Sequence, residues 1–217
     1  PLTHQSPPPT INNLYDTLLH MGGSGPNLAQ RLRKYTSGTF AGIFSQQSNV
    51  DINNQMVIFN IRDLEDELRP VAMYIILSHI WNIVRADQRR RLLIVDEAWQ
   101  LMKYDDSANF LFSLAKRARK YYLGLTTITQ DVEDFMSSKM GRAIVANSSM
   151  QLLLKQSASA VDVLSDVFKL TAEEKKRLSN FPVGHGLFFA GSNHVHIQII
   201  ASETEESLIT TRPEDRK

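Results

Sequence analysis

The chain has 217 residues, 24 Lys and Arg against 23 Asp and Glu, a net charge of +1, and 42% hydrophobic residues. This is the composition of an ordinary globular domain, and a near-neutral total exerts no global pull toward nucleic acid or an anionic membrane. The absence of Cys excludes disulfide frameworks and thiolate metal sites and fits a reducing compartment, while no apolar run reaches the ~18 residues of a membrane span.

Residues 1–9 are Pro- and Ser-rich, and Pro7-Pro8-Pro9 is stiff and extended, which suits a linker. The chain begins at Pro1, which reads as a piece of a longer polypeptide. Thr10 is placed to cap a helix carrying Ile11, Leu14, Leu18 and Leu19 on one face. Met21-Gly22-Gly23-Ser24-Gly25-Pro26 breaks it. A second helix is expected near 27–35, followed by a loop or short helix through Phe44.

Met56-Val57-Ile58-Phe59-Asn60-Ile61 has the pattern of a strand. A long helix is expected over 65–89, apolar nearly all round from Val71 to Val84 and therefore buried between a sheet and another layer. Leu92-Leu93-Ile94-Val95 is short and apolar enough for a strand buried on both faces. Further expectations are a helix over 107–122, a strand over 124–129, a helix over 137–147 and a strand over 151–154. Helices follow over 159–168 and 171–180, then a hairpin of 186–190 and 194–200. From Ser202 the chain is polar and charged, a mobile tail. Strands alternating with helices predict an α/β fold with a mostly parallel sheet flanked by helices, preceded by a small helical subregion.

The chemistry concentrates at Asp96-Glu97, which follows the apolar run directly. A parallel strand there delivers two carboxylates to the carboxyl edge of the sheet, where open α/β folds bind ligands. In nucleotide-driven machines this is the Walker B arrangement. The first carboxylate helps hold Mg²⁺, and the second orients or activates water. The plain alternative is an acidic start to the following helix. Thr129-Gln130 ends the next strand, so the Gln130 amide could touch a γ-phosphate or the attacking water, or simply satisfy loop backbone.

Lys116-Arg117-Ala118-Arg119-Lys120 is a basic cluster. Helical spacing puts Lys116, Arg119 and Lys120 together, either as a solvated face or as a source of an arginine for a neighbour's phosphate. Arg142 is a similar candidate. Gly22 to Gly25 lacks the Lys-Ser/Thr of a phosphate loop and joins two helices, so it reads as a turn. His194 and His196 share a strand face, but no third metal ligand is placed with them. His79 reads as a core residue, and Trp81 and Trp99 as core or interface anchors.

Several stretches resemble the C-terminal motor domain of the VirB/TraC/CagE-type ATPases of type IV secretion and conjugation. They are Leu92 to Trp99; Ala115 to Tyr121; Thr129-Gln130-Asp131; Ile144 to Ser148; Gln151 to Gln156; and Gly184 to Gly191. The resemblance covers about Ile11 to Ile200 and implies a RecA-like fold. On that basis 10–54 is the end of a helical insertion, 55–201 the Walker B half, and 202–217 a tail. It implies ATP hydrolysis with Mg²⁺, sister subunits in a dimer or hexamer, and other secretion components as partners at the cytoplasmic face of the inner membrane. By position, Asp96 would serve Mg²⁺, Glu97 the water, Gln130 the γ-phosphate, and Arg117 or Arg119 would act in trans.

The family's Gly-x-x-x-x-Gly-Lys-Ser/Thr loop is not in these residues. Two other readings compete. One is a non-catalytic docking or oligomerisation module of the secretion apparatus. The other is a HerA/FtsK-like DNA motor, which the near-neutral charge does not favour. A thermal shift with ATP and Mg²⁺ separates enzyme from module, and salt-sensitive DNA binding would mark the third. Without the phosphate loop's amides and Lys, the pure 217-residue chain is expected to bind ATP weakly and not hydrolyse it. Mg²⁺-dependent turnover by that chain would contradict this.

Overall fold

The computed structural model describes residues 7–47, 54–191 and 193–210. The chain divides into two compact units, Pro1–Ile58 and Phe59–Lys217.

The first unit is helical: α1 (Ile11–His20), α2 (Gly25–Thr36) and the single turn α3 (Ala41–Phe44). The Thr10 backbone N–H donates to Asn13 Oδ1 at 2.8 Å and closes the start of α1. The Gly-rich segment is a tight turn. A Cβ at Gly25 would sit 2.6 Å from the Leu18 carbonyl oxygen, and Gly23 adopts φ 69°. These glycines let two helices approach closely.

The second unit begins without a strand. Met56 to Ile61 forms no ladder, although its composition predicts one. A strand is stable only through its pairing, and no described strand forms a ladder with this segment. Helix α4 (Arg69–Ala86) is shorter than expected and turns Met73, Leu77, Trp81 and Val84 inward. Val71, Tyr74 and Ile75 are exposed, so the all-round apolar surface is covered on one side only.

Strand β1 (Arg91–Val95) leads into a 3₁₀ helix over Ala98–Lys103, then α5 (Asp105–Arg117). A 3₁₀ turn over Ala118–Tyr121 closes that helix, with Tyr122 left-handed at φ 55°. The segment expected as one helix over 107–122 therefore tightens after Arg117, as helix ends often do. The basic residues after that point do not follow α-helical spacing.

Strand β2 (Leu123–Thr127) pairs parallel to β1, with Val95 opposite Thr127. Helices α6 (Val132–Ser137) and α7 (Lys139–Asn147) follow. Strand β3 (Met150–Leu154), α8 (Ala158–Phe168) and α9 (Ala172–Asn180) come next. Strands β4 (His185–Ala190) and β5 (Asn193–Gln198) form the expected hairpin, and β3 pairs antiparallel with β4. Ser202, read as the start of a tail, caps α10 (Glu203–Ile209).

Among the described residues the ladders are thus one parallel pair and one antiparallel set of three. One apolar cluster joins α4, β1, α5, α6 and α7 through residues such as Val84, Val95, Leu111, Leu114 and Ile144. A second packs α8 and α9 on β3 and β4 through Leu164, Leu178, Leu187 and Phe189. Val132 touches both. Strand β1 departs from the expectation of burial on both faces. Leu93 and Val95 turn toward the core, but Leu92 is 83% and Ile94 62% exposed. Alternation is the strand's own geometry, and a second covering layer is not among the described residues.

Gly141 on α7 lies against the end of α6, where an added Cβ would fall 1.9 Å from the Phe135 carbonyl oxygen. The obstacle is backbone and cannot swing aside. Gly141→Ala is expected to cost about 3 kcal/mol, the upper range for overpacking. A melting curve should show a loss of about 6–12 °C.

Candidate functional site

The site is built by what happens after two parallel strands end. The ladder runs one step past β2, since Ile128 N–H donates to the Val95 carbonyl at 2.9 Å. Ala98 N–H then donates to the Ile128 carbonyl, also at 2.9 Å. Between these contacts the β1 chain reverses at Glu97, which is left-handed at φ 50°. For a non-glycine residue this is an uncommon conformation, and such residues concentrate at functional sites. It throws the Glu97 side chain toward the loop after β2.

There the Gln130 amide nitrogen donates to Glu97 Oε1 at 2.9 Å. The Trp99 indole N–H donates to Glu97 Oε2 at 2.5 Å. Asp96 is exposed beside them, and its Oδ1 accepts from the Glu97 N–H at 2.9 Å. The Gln130 loop is itself fixed. Thr129 Oγ1 donates to the Asp131 carbonyl at 3.0 Å, and the Asp131 side chain caps α6 by accepting from Asp134 N–H at 2.9 Å. Asp96, Glu97 and Gln130 therefore converge at the carboxyl ends of β1 and β2. They form a small cluster of oxygen acceptors and one amide, open to solvent. Exposed carboxylate oxygen of this kind fits a hard divalent cation.

Trp99 is the residue that sequence reading placed elsewhere. It is half-buried, and its indole N–H is committed to the acidic pair; Lys103 Nζ lies 4.5 Å from its ring centroid. The available signal was the spacing Glu-Ala-Trp at the start of a helical turn, where residues two apart come together only if the turn is tight and irregular.

The candidate arginines are apart from this cluster in sequence. Arg117 and Arg119 are exposed. Arg117 lines a cavity of 320 Å³ with Tyr74, Trp81, Asp106 and Phe110. Arg142 donates to the carbonyls of Met136 and Ser137 at 2.6 and 3.2 Å, closing the end of α6. Lys116 sits over the Phe112 ring.

The histidines do not assemble a metal site. His185 Nδ1 and His196 Nε2 are 3.0 Å apart, stacked near Phe181. Their neighbour His194 instead pairs with Glu174 at 2.5 Å. No group of three or more His, Asp or Glu side chains able to hold a metal occurs among the described residues.

A parallel pair with helices packed on its inner face, carrying an acidic dipeptide and a glutamine at the carboxyl edge where open α/β folds bind ligands, is the arrangement of a P-loop NTPase-type domain. Residues 26–182 match the TraG P-loop domain, and the chain belongs to that family. It is 29% identical over 161 residues to protein TraC of Escherichia coli (strain K12), covering 69% of this chain and 17% of TraC. It is 27% identical over 157 residues to the type IV secretion system protein virB4 of Bartonella quintana (strain Toulouse), covering 70% of this chain and 20% of that protein. The structure of VirB4 of Thermoanaerobacter pseudethanolicus superposes with a TM-score of 0.83 at 29% identity, over 91% of this chain and 56% of that one. The chain thus spans about a fifth of the length of these curated relatives.

Glu174 provides a pH-dependent element near the histidines. The Thr171 backbone N–H, donating at 2.8 Å, is the main reason its carboxyl sits below the usual carboxylate range. The Thr171 hydroxyl and His194 add to this, and burial opposes it. A lowered carboxyl stabilises the fold above its unfolded value, and the gain is lost as pH falls through the lowered folded value. Glu174→Gln should therefore melt below wild type at pH 7, and the two curves should converge in acid. Melting temperatures taken from pH 7 down to pH 3 test this.

Proposed function

We propose that the chain is the Walker B half of an ATP-hydrolysing motor that powers type IV secretion, conjugative transfer and pilus assembly. The observation that carries the reading is the Glu97–Gln130 hydrogen bond with Asp96 alongside, at the carboxyl ends of adjacent parallel strands. Membership of the TraG P-loop family and the likeness to TraC and VirB4 support it.

In this reading Asp96 supplies carboxylate oxygen to Mg²⁺. When bound, that ion neutralises charge on the phosphate oxygens. Glu97 accepts a hydrogen bond from the attacking water and orients it. Gln130, donating through its amide, exchanges Glu97 Oε1 for the γ-phosphate and thereby senses which nucleotide is present. Arg117 or Arg119, exposed near the end of α5, reaches the phosphates of a sister subunit. No Gly-x-x-x-x-Gly-Lys-Ser/Thr loop occurs in these 217 residues, and on this reading the chain by itself does not turn over ATP. Sister subunits and other secretion components are its partners, at the cytoplasmic face of the inner membrane. No helix among the described residues is long and apolar enough to cross a membrane.

The test is ATP turnover by the full motor polypeptide of which, on this reading, the chain forms part. Glu97→Gln should lower kcat by about 10²–10⁴-fold while nucleotide binding persists. Asp96→Asn should weaken Mg²⁺-dependent nucleotide binding. Wild-type turnover in Glu97→Gln would overturn the assignment.

A further inference from the structure

Glu97 has two carboxylate oxygens, and they are held differently. Oε1 takes the amide of Gln130, an exposed side chain on a loop. Oε2 takes the indole N–H of Trp99, a half-buried side chain two residues along the same turn. An indole N–H donates and cannot accept, so Trp99 can neither take up nor return a proton. Its rotation is also restrained, since Lys103 Nζ sits over its ring and the 3₁₀ helix carrying it is anchored by buried Ala98 and Leu101. Gln130 is exposed, and its amide holds Oε1 from the solvent side of the site.

We propose that Trp99 is a positioning residue for Glu97. Its N–H pins Oε2, so that when Gln130 leaves for a phosphate, Oε1 alone is presented to water in a fixed direction. The proposal rests on the assignment of Glu97 to water. The left-handed backbone at Glu97 fits this arrangement: it brings the side chain back over its own turn, where an indole two residues later can reach it.

Side-chain NMR of the 217-residue chain tests the geometry. The chain has only two Trp residues, so Trp81→Phe assigns the indole signals. Glu97→Gln should shift the Trp99 indole N–H. Trp99→Phe should leave the backbone amides of β1 and β2 in place yet move the Gln130 side-chain NH₂ to the position of a solvated glutamine. Trp99→His, which keeps a ring N–H, should restore part of that shift. An unmoved indole signal in Glu97→Gln, or an unmoved Gln130 signal in a folded Trp99→Phe, would overturn the proposal. If Trp99→Phe does not fold, the Glu97→Gln arm decides.

In turnover by the full motor, Trp99→Phe should lower kcat by about tenfold or more with KM for ATP unchanged, as expected when orientation is lost and binding is not. Recovery of part of kcat by Trp99→His is expected; wild-type kcat in Trp99→Phe would overturn the proposal. A failure of the Glu97 assignment itself is separate: it appears as wild-type turnover in Glu97→Gln, with the NMR couplings still in place.

Discussion

The hydrogen bond between Gln130 and Glu97 is the contact on which the site depends, because it joins two residues 33 apart in sequence, each just past the end of a strand. It exists only because β1 and β2 are parallel neighbours in one register, Val95 opposite Thr127. Parallel pairing sends both carboxyl ends to the same edge. The crossover between them, through α5, is what makes that pairing possible, and α5 is held by Leu111 and Leu114 in the main apolar cluster. Packing of the crossover helix therefore fixes the sheet edge at which the acidic pair lies.

Backbone conformation at the tip supplies the rest. A strand ending in an ordinary conformation would carry Glu97 onward, away from the β2 loop. The left-handed turn at Glu97, tied by Ala98 N–H to Ile128, folds the carboxylate back between Gln130 and Trp99. Asp96, one residue earlier, remains exposed with one oxygen committed to the Glu97 N–H. The two adjacent carboxylates thus occupy different surroundings, one clasped and one open. The proposed division of labour, Glu97 orienting water and Asp96 holding a cation, needs that difference.

The exposed side of β1 bears on the same architecture. Leu92 and Ile94 face outward, and Leu92 lies over Gly124 on β2, where a Cβ would come within 2.7 Å of it. The apolar residues of Met56 to Ile61 likewise have no ladder among the described residues. Both stretches have the composition of interior strands. Composition records the surroundings a segment is selected to occupy, while pairing depends on whether a neighbour is there.

Local patterns made much of this protein legible. The apolar run before Asp96, the paired strands of the C-terminal hairpin and the alternation of helix and strand are short-range features; Ser202, read as the start of a tail, instead caps α10. They act through hydrogen bonds and periodicity within a few residues. The identity of Asp96, Glu97 and Gln130 as an edge cluster followed from strand ends alone. Tertiary structure decided what periodicity cannot encode. It tightened the chain after Arg117 into a 3₁₀ turn, left one face of α4 and β1 open, and drew Arg142 onto the end of α6. It also turned Trp99 from an anticipated packing residue into a donor to Glu97. Each outcome depends on which distant groups compete for the same backbone, carboxylate or apolar surface, and that competition is settled only when the elements are packed in space.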